Sequence, residues 1–159
     1  MNVLILSAIL GVVALFSGIY LKQKSTVRAI AIVGMAGLLI SNILEMNGTS
    51  FFHINVEGMM GFDKFALLFI SIILFSTLIY FILSARDMEK VGIHYAEYFG
   101  LIFFILCGVV LVASFKSLLI LFLGIEIISI PLYILTGTDK KNLKSNEASL
   151  KYLLMGAFS

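Results

Sequence analysis

The sequence predicts an all-α fold, a polytopic bundle of transmembrane helices with five full spans and the start of a sixth. Of its 159 residues, 61% are hydrophobic and 13% charged, and the mean hydropathy is +1.12. Soluble domains carry about 45–50% apolar and about 25% charged residues. The charges are also confined, because the stretches 2–21, 29–44, 65–85 and 98–115 contain none. Each is close to the roughly 20 residues that a bilayer span requires.

We expect helices at 2–21, 29–46, 64–85, 96–115, 117–137 and 146–159, within one transmembrane domain covering 1–159. The first apolar run lacks a basic segment and a small-residue cleavage site, so we interpret it as a retained helix and not as a signal peptide. Ser145 is expected to cap the sixth helix. That helix has only about 14 residues and no stop signal, so we expect the chain to be part of a longer protein.

Basic residues are distributed unevenly between the two sets of loops. If the chain alternates sides, the opposite loops hold only Lys64 and Lys116. By the positive-inside rule, this asymmetry places the N-terminus outside the cell's inner (plasma) membrane. The net charge of +2 is thus explained by orientation in the lipid bilayer, and no nucleic-acid partner is expected. The loops after helices one, three and five hold Lys22, Lys24, Arg28, Arg86, Lys90, Lys140, Lys141 and Lys144.

Outside the helices, the loop at 47–62 opens with an Asn47-Gly48 turn signal and alternates apolar and polar residues, which predicts a short strand or hairpin. His53 in this loop has no second ligand at helical spacing. No phosphate loop or nucleotide-binding pattern occurs, and a lone Cys107 excludes a Cys-rich metal site. We therefore expect no cofactor and no metal in this chain. Close helix packing is expected at Gly11, Gly18, Gly34, Gly37, Gly100 and Gly108.

Glu126 interrupts the fifth apolar run near its centre. An ionisable group at that depth costs at least a few kcal/mol, which favours a functional role. The alternative is a protonated structural carboxyl bonded to a neighbouring helix. Pro131 should loosen the helix nearby, because it cannot donate to the carbonyl of residue 127. Ser129 and Tyr133 share the face of Glu126 at i+3 and i+7, and we predict that they support it.

Lys151 is the candidate partner of Glu126, since a short loop makes helices five and six antiparallel neighbours. Measured from their loop, Glu126 is about 16 Å deep and Lys151 about 8 Å. That offset suits a pair bridged by water or by Tyr133. Two other interpretations remain open: Lys151 pairs with Glu147 at i, i+4, or it extends to the membrane interface.

The region after residue 95 resembles helices four to six of the N subunit of respiratory complex I, the NADH-quinone oxidoreductase. The similarity covers 96–100, 114–119, 122–135 and 145–159, and rests on the spacing of Glu126, the Ser-x-Pro-x-Tyr of 129–133 and the Glu-Ala-x-x-Lys-Tyr of 147–152. The residues 63–66 look like the family's start of helix three. The related M and L subunits and the multisubunit cation/proton antiporters share the glutamate, but the Pro-Leu-Tyr and Leu-Lys-Tyr runs favour N.

The resemblance implies a protein of about fourteen helices, so that roughly two thirds would be missing here. It implies that Glu126 pairs with lysines on later helices and that Lys151 matches the family lysine at the start of helix six. Glu126 and Lys151 would then be one end of a proton relay. NADH, flavin, iron-sulfur clusters and quinone would be bound by other subunits, and the partners would be membrane subunits of the M, L, K, J and A types.

The predicted function is therefore that of a membrane-arm, non-redox subunit of a proton-translocating NADH-quinone oxidoreductase, with the chain alone not catalytic. One alternative is a subunit of a multisubunit monovalent cation/proton antiporter. Another is a structural membrane scaffold. Copurifying flavin and iron-sulfur proteins distinguish the first from the second, and neutralising Glu126 distinguishes both from the third.

The charge asymmetry of the loops gives a test of topology. Lys141→Cys should react with a membrane-impermeant thiol reagent only from the cytoplasmic side, because the loops on its side together carry most of the basic residues. Lys116→Cys is the matched control from an opposite loop, and it should react only from outside. Labelling of Lys141→Cys in intact cells would show that the orientation is reversed.

Overall fold

The protein folds as a bundle of helices, seen in a computed structural model that describes residues 1–20, 23–52, 58–88, 95–139 and 142–158, with the backbone alone for 85–88. The described residues form no strand. The first five helices are long and apolar enough to cross a membrane, which confirms the predicted all-α polytopic fold. The helices are α1 (Asn2–Tyr20), α2 (Lys24–Met46), α3 (Lys64–Met88), α4 (Tyr95–Ala113), α5 (Leu118–Thr136) and α6 (Leu143–Ala157).

Two helices begin earlier than the hydropathy pattern predicts. α2 begins at Lys24 and not at 29, because charged residues end an apolar run without ending a helix. α6 begins at Leu143, because the Asn142 side chain accepts a hydrogen bond from the Lys144 N–H at 3.0 Å and caps the helix. The prediction that Ser145 is the cap is wrong: its hydroxyl donates to the Thr136 carbonyl at 2.8 Å.

The loop after α2 opens with the predicted turn, in which Gly48 has a φ of 91°. His53 and the rest of the alternating segment, 53–57, lie outside the described residues, so the predicted hairpin stays a prediction. Beyond that segment, the backbone of 59–61 pairs with the linker between α4 and α5.

That pairing is an isolated antiparallel bridge between Met60 and Phe115. The Gly61 N–H donates to the Ser114 carbonyl at 2.7 Å, and the N–H of Lys116 donates to the carbonyl of residue 59 at 2.9 Å. The loop before α3 is thereby joined to the segment that leads into α5.

The centre of the bundle is α4, which packs most extensively on α1 and α5. Phe99 and Phe103 of α4 are buried against Phe81 of α3. The ring of Phe81 meets those of Phe99 and Phe103 edge to face, with centroids 4.8 and 5.9 Å apart. Such pairs contribute about 0.5–1.5 kcal/mol each beyond the area that they bury.

α2 and α3 are joined by a buried amide. Asn42 of α2 has no exposed surface, and its Nδ2 donates to the Leu67 carbonyl at 2.9 Å and to Ser71 Oγ at 2.7 Å. In lipid, hydrogen bonds of this kind between helices contribute on average about 0.6 kcal/mol.

The predicted packing role of the glycines is confirmed at five of the six positions. A Cβ built on Gly11, Gly18, Gly34, Gly100 or Gly108 would lie close to atoms of a neighbouring helix. The prediction for Gly37 is wrong as far as the described residues go, since a Cβ there meets none of their atoms within 4 Å and the residue is on the exposed side of α2. Gly108 lies against a glycine that the sequence analysis did not single out, Gly124 of α5.

At this crossing the main chains of α4 and α5 are in contact. A Cβ on Gly108 would lie 2.8 Å from the Gly124 carbonyl oxygen, and one on Gly124 would lie 3.0 Å from the Val112 nitrogen. These neighbours are backbone atoms and cannot rotate away. The two helices would have to separate to accept a side chain at either position.

We therefore expect Gly108→Ala to destabilise the protein by about 1–3 kcal/mol, the usual cost of overpacking. Gly37→Ala is the matched control and should be neutral or slightly stabilising, because alanine favours helix over glycine. Thermal unfolding of the detergent-solubilised variants measures the difference. Equal stability of the two variants would contradict the backbone contact.

Candidate functional site

The site is built on α5, whose start is fixed by two contacts. The Ser117 hydroxyl caps the helix by accepting a hydrogen bond from the Leu119 N–H at 3.3 Å, and the bridge at Phe115 holds the linker before it. The helix then continues through Pro131, which is buried. Because proline has no N–H, the carbonyl of Ile127 lacks its usual helical donor at this depth.

The two faces of α5 have different neighbours. Gly124 and Ile128 contact α4 at the Gly108 crossing. Glu126 follows Gly124 by two residues, about 200° around the helix, so it lies on the opposite side. Ser129 and Tyr133 share that side, as the i+3 and i+7 spacing predicted. We call this set of three residues the Glu126 face.

Glu126 is half-buried and makes no hydrogen bond or ion pair with any other residue that the structure describes. The other described glutamates all have partners. Glu45 pairs with the Met1 ammonium and accepts from the Asn2 N–H at 3.0 Å, and Glu147 pairs with Lys151. Glu97 is likewise engaged. The interpretation of Glu126 as a structural carboxyl bonded to a neighbouring helix therefore has no support within the described residues.

The hydroxyl of Ser129 donates to the Ile125 carbonyl at 2.8 Å, four residues back on the same helix. Its proton is thus engaged within α5. The oxygen keeps acceptor capacity toward the Glu126 face.

α6 covers the Glu126 face at Tyr133. Ser149 Oγ donates to the Tyr133 carbonyl at 2.8 Å, and the rings of Tyr133 and Tyr152 meet edge to face with centroids 4.8 Å apart. Further along α6, Gly156 lies against the tip of the Tyr133 side chain. Together with the Ser145 bond to Thr136, these contacts form the seam between α5 and α6.

Lys151 is not part of this seam. Ser149 faces α5, and Lys151 follows it by two residues, which places it on the opposite side of α6. Its Nζ pairs with Glu147 Oε1 at 2.6 Å, and the two side chains are 68% and 63% exposed. Of the three interpretations offered by the sequence, the i, i+4 pair is the one that the structure shows.

The register of the seam also separates Lys151 from Glu126 along the membrane axis. With Ser149 level with Tyr133, Lys151 lies about 3 Å and Glu126 about 10 Å beyond that level. The remaining offset of about 7 Å is close to the predicted one. The structure thus brings Tyr133 onto α6 but does not bring Lys151 to Glu126.

Sequence reasoning missed three residues that position the site, namely Gly124, Ser149 and Gly156. Two signals were available. Gly124 is two residues from Glu126 and so defines the opposite face of α5. Ser145, Ser149 and Gly156 recur at helical spacing on one face of α6, which indicates a packing surface made of small residues.

Comparison with known proteins places this arrangement in context. A family model described as "NADH:quinone oxidoreductase/Mrp antiporter, TM" matches residues 115–159. NADH-quinone oxidoreductase subunit N of Flavobacterium psychrophilum is 38% identical over 159 residues, which are 100% of this chain and 34% of the relative. The subunit N of Cytophaga hutchinsonii is 34% identical over 162 residues, with the same two coverages.

A solved structure agrees with these relatives. A chain of the structure titled "Respiratory complex I from Thermus thermophilus with bound Aureothin" superposes with a TM-score of 0.68 at 26% identity, over 98% of this chain and 33% of that one. The present chain therefore spans about a third of the length of the proteins that it matches.

Proposed function

Because the chain belongs to the subunit N family of NADH-quinone oxidoreductases, we propose that it serves in the membrane arm of such an enzyme and contributes to proton translocation. The translocation is coupled to NADH oxidation and quinone reduction. Since the chain spans about a third of the length of its relatives, the proposal concerns the assembled, full-length subunit.

The observation that carries the proposal is the unpartnered carboxyl of Glu126. It lies mid-span in a helix long and apolar enough to cross the membrane, and it has no partner among the described residues. A carboxylate without a partner costs several kcal/mol in lipid, and carboxylates inside a membrane usually face a cavity or a partner charge. Glu126 must therefore either hold a proton or face a cation that another segment supplies.

The mechanism that we propose uses these two states of Glu126, one with a bound proton and one with a cation beside the carboxylate. When a lysine ammonium lies near Glu126, the carboxylate favours the protonated lysine because opposite charges attract strongly in a low dielectric. When the two separate, the lysine releases its proton more easily. The distance between the lysine and Glu126 thereby controls whether the lysine holds its proton.

Ser129 and Tyr133 support this exchange. The Ser129 oxygen can accept a hydrogen bond, and the Tyr133 hydroxyl can both accept and donate, so these two side chains can hold a water molecule beside Glu126. The carbonyl of Ile127, which lacks a helical donor, offers a further acceptor at the same depth.

Lys151 supplies a second charge to the relay in this proposal. In the structure it is held by Glu147 on the far side of α6. Exposed pairs of this kind contribute only about 0–1 kcal/mol, so Lys151 can exchange partners at low cost. The cation that pairs with Glu126 would come from family lysines on later helices.

The remaining parts of the proposal follow from family membership. The partners would be membrane subunits of the M, L, K, J and A types, in the inner membrane with the N-terminus outside. Flavin, iron-sulfur clusters, NADH and quinone would be bound by other subunits. The description of the matching family model also names an Mrp antiporter, and copurification without flavin or iron-sulfur proteins would favour that second candidate.

The role of Glu126 is tested by Glu126→Gln in the full-length subunit. Glutamine keeps the volume and the hydrogen bonding but removes the charge, so quinone-coupled proton pumping should fall at least about tenfold. NADH oxidation with an artificial electron acceptor should stay close to normal. Glu126→Asp should lose less, because the charge remains. Pumping is measured in vesicles with matched complex content.

Glu97→Gln is the matched control, because it makes the same chemical change near the start of α4, outside the Glu126 face. It should leave pumping within about twofold of the unmodified enzyme, as expected for an exposed site. Normal pumping by Glu126→Gln would return Glu126 to a structural role and remove the basis of the proposed function.

A further inference from the structure

We propose that Gly156 of α6 is a positioning residue for Tyr133, in that its missing side chain leaves the space where the Tyr133 hydroxyl lies on the Glu126 face. The inference rests on the proposed function of Glu126. It assigns a task to a glycine that touches neither charge of the relay.

The first observation is steric. A Cβ built on Gly156 would lie 2.7 Å from Tyr133 Cζ and closer still to the hydroxyl oxygen. Real Cβ atoms do not approach other atoms so closely. Any residue other than glycine at 156 would therefore displace the phenol tip.

The second observation is the direction in which the phenol extends. Ser149 bonds the main-chain carbonyl of Tyr133, and Gly156 lies seven residues further along the same face of α6, about 10 Å away. Since the helices are antiparallel, the hydroxyl is carried from the Tyr133 backbone toward the start of α5. Side chains in helices lean in this direction. Glu126 lies that way, two turns before Tyr133.

The third observation is that the ring is held from the side as well as at its tip. Tyr152 meets it edge to face at an interplanar angle of 84°, and Tyr152 precedes Gly156 by one turn of α6. The phenol is thus confined by two residues of one helix. Its hydroxyl has a defined place along the α5–α6 seam.

The chemistry explains why the place of the hydroxyl matters. A phenol can accept a hydrogen bond from a water molecule and donate one to a carboxylate at the same time. Held toward Glu126, it can link this carboxyl to water in the seam. Displaced by a methyl group, it would lose that link, while both helices and both charges would remain.

The test compares Gly156→Ala, Tyr133→Phe and the double variant in the full-length, assembled enzyme. Gly37→Ala is the control, because a Cβ at residue 37 meets no atom of the described residues within 4 Å. Gly156→Ala and Tyr133→Phe should each lower proton pumping per assembled complex by about tenfold, the order expected for a lost hydrogen bond to a charged group. Gly37→Ala should pump normally.

The double variant distinguishes positioning from packing. If Gly156 acts through the Tyr133 hydroxyl, the double variant should pump as well as either single variant, because both remove the same group. Losses that multiply would overturn the proposal, since Gly156 would then act on something else.

Should Gly156→Ala lower the complex content, adding Tyr133→Leu should restore it by making room for the methyl group. Failure to restore it would also overturn the proposal.

The outcome for Glu126→Gln separates this inference from the function on which it rests. Normal pumping by Gly156→Ala alongside a failing Glu126→Gln would overturn the positioning role alone. Normal pumping by Glu126→Gln would overturn both.

Discussion

The contact between the main chains of α4 and α5 at Gly108 and Gly124 determines on which side of α5 the Glu126 face lies. In lipid, helices associate through close packing and hydrogen bonds and not through the hydrophobic effect. Two facing glycines give the closest approach that two helices can have, and they fix the rotation of α5 about its own axis. With that rotation set, Glu126 can lie only on the side away from α4, where α6 packs.

The seam between α5 and α6 depends on neutral groups. Serine hydroxyls of α6 donate to α5 carbonyls at Thr136 and Tyr133, and two tyrosine rings meet edge to face. None of these contacts involves a charged side chain. The ionisable residues on either side of the seam, Glu126 and Lys151, are therefore free to change state without breaking the packing that holds the two helices together.

The sequence predicted the spans, because hydropathy reports directly which segments can lie in lipid, and it predicted the Glu126 face, because i+3 and i+7 spacing requires no tertiary knowledge. It did not decide the partner of Lys151. That choice depends on the rotation of α6 against α5, which Ser149 and Gly156 set and which no charge pattern reveals. The errors at Gly37 and Ser145 have the same origin, since a small residue indicates that close contact is permitted but not which helix lies opposite.

The bridge between Met60 and Phe115 has a mechanical consequence. Two backbone hydrogen bonds join the linker that leads into α5 to the segment just before α3. Further along α5, the crossing of Gly108 and Gly124 packs this helix against α4. A helix anchored at both points cannot slide as a piston along its neighbours. In the proposed function, a movement that accompanies proton transfer would then come from side chains or from other helices, with α5 as a fixed support.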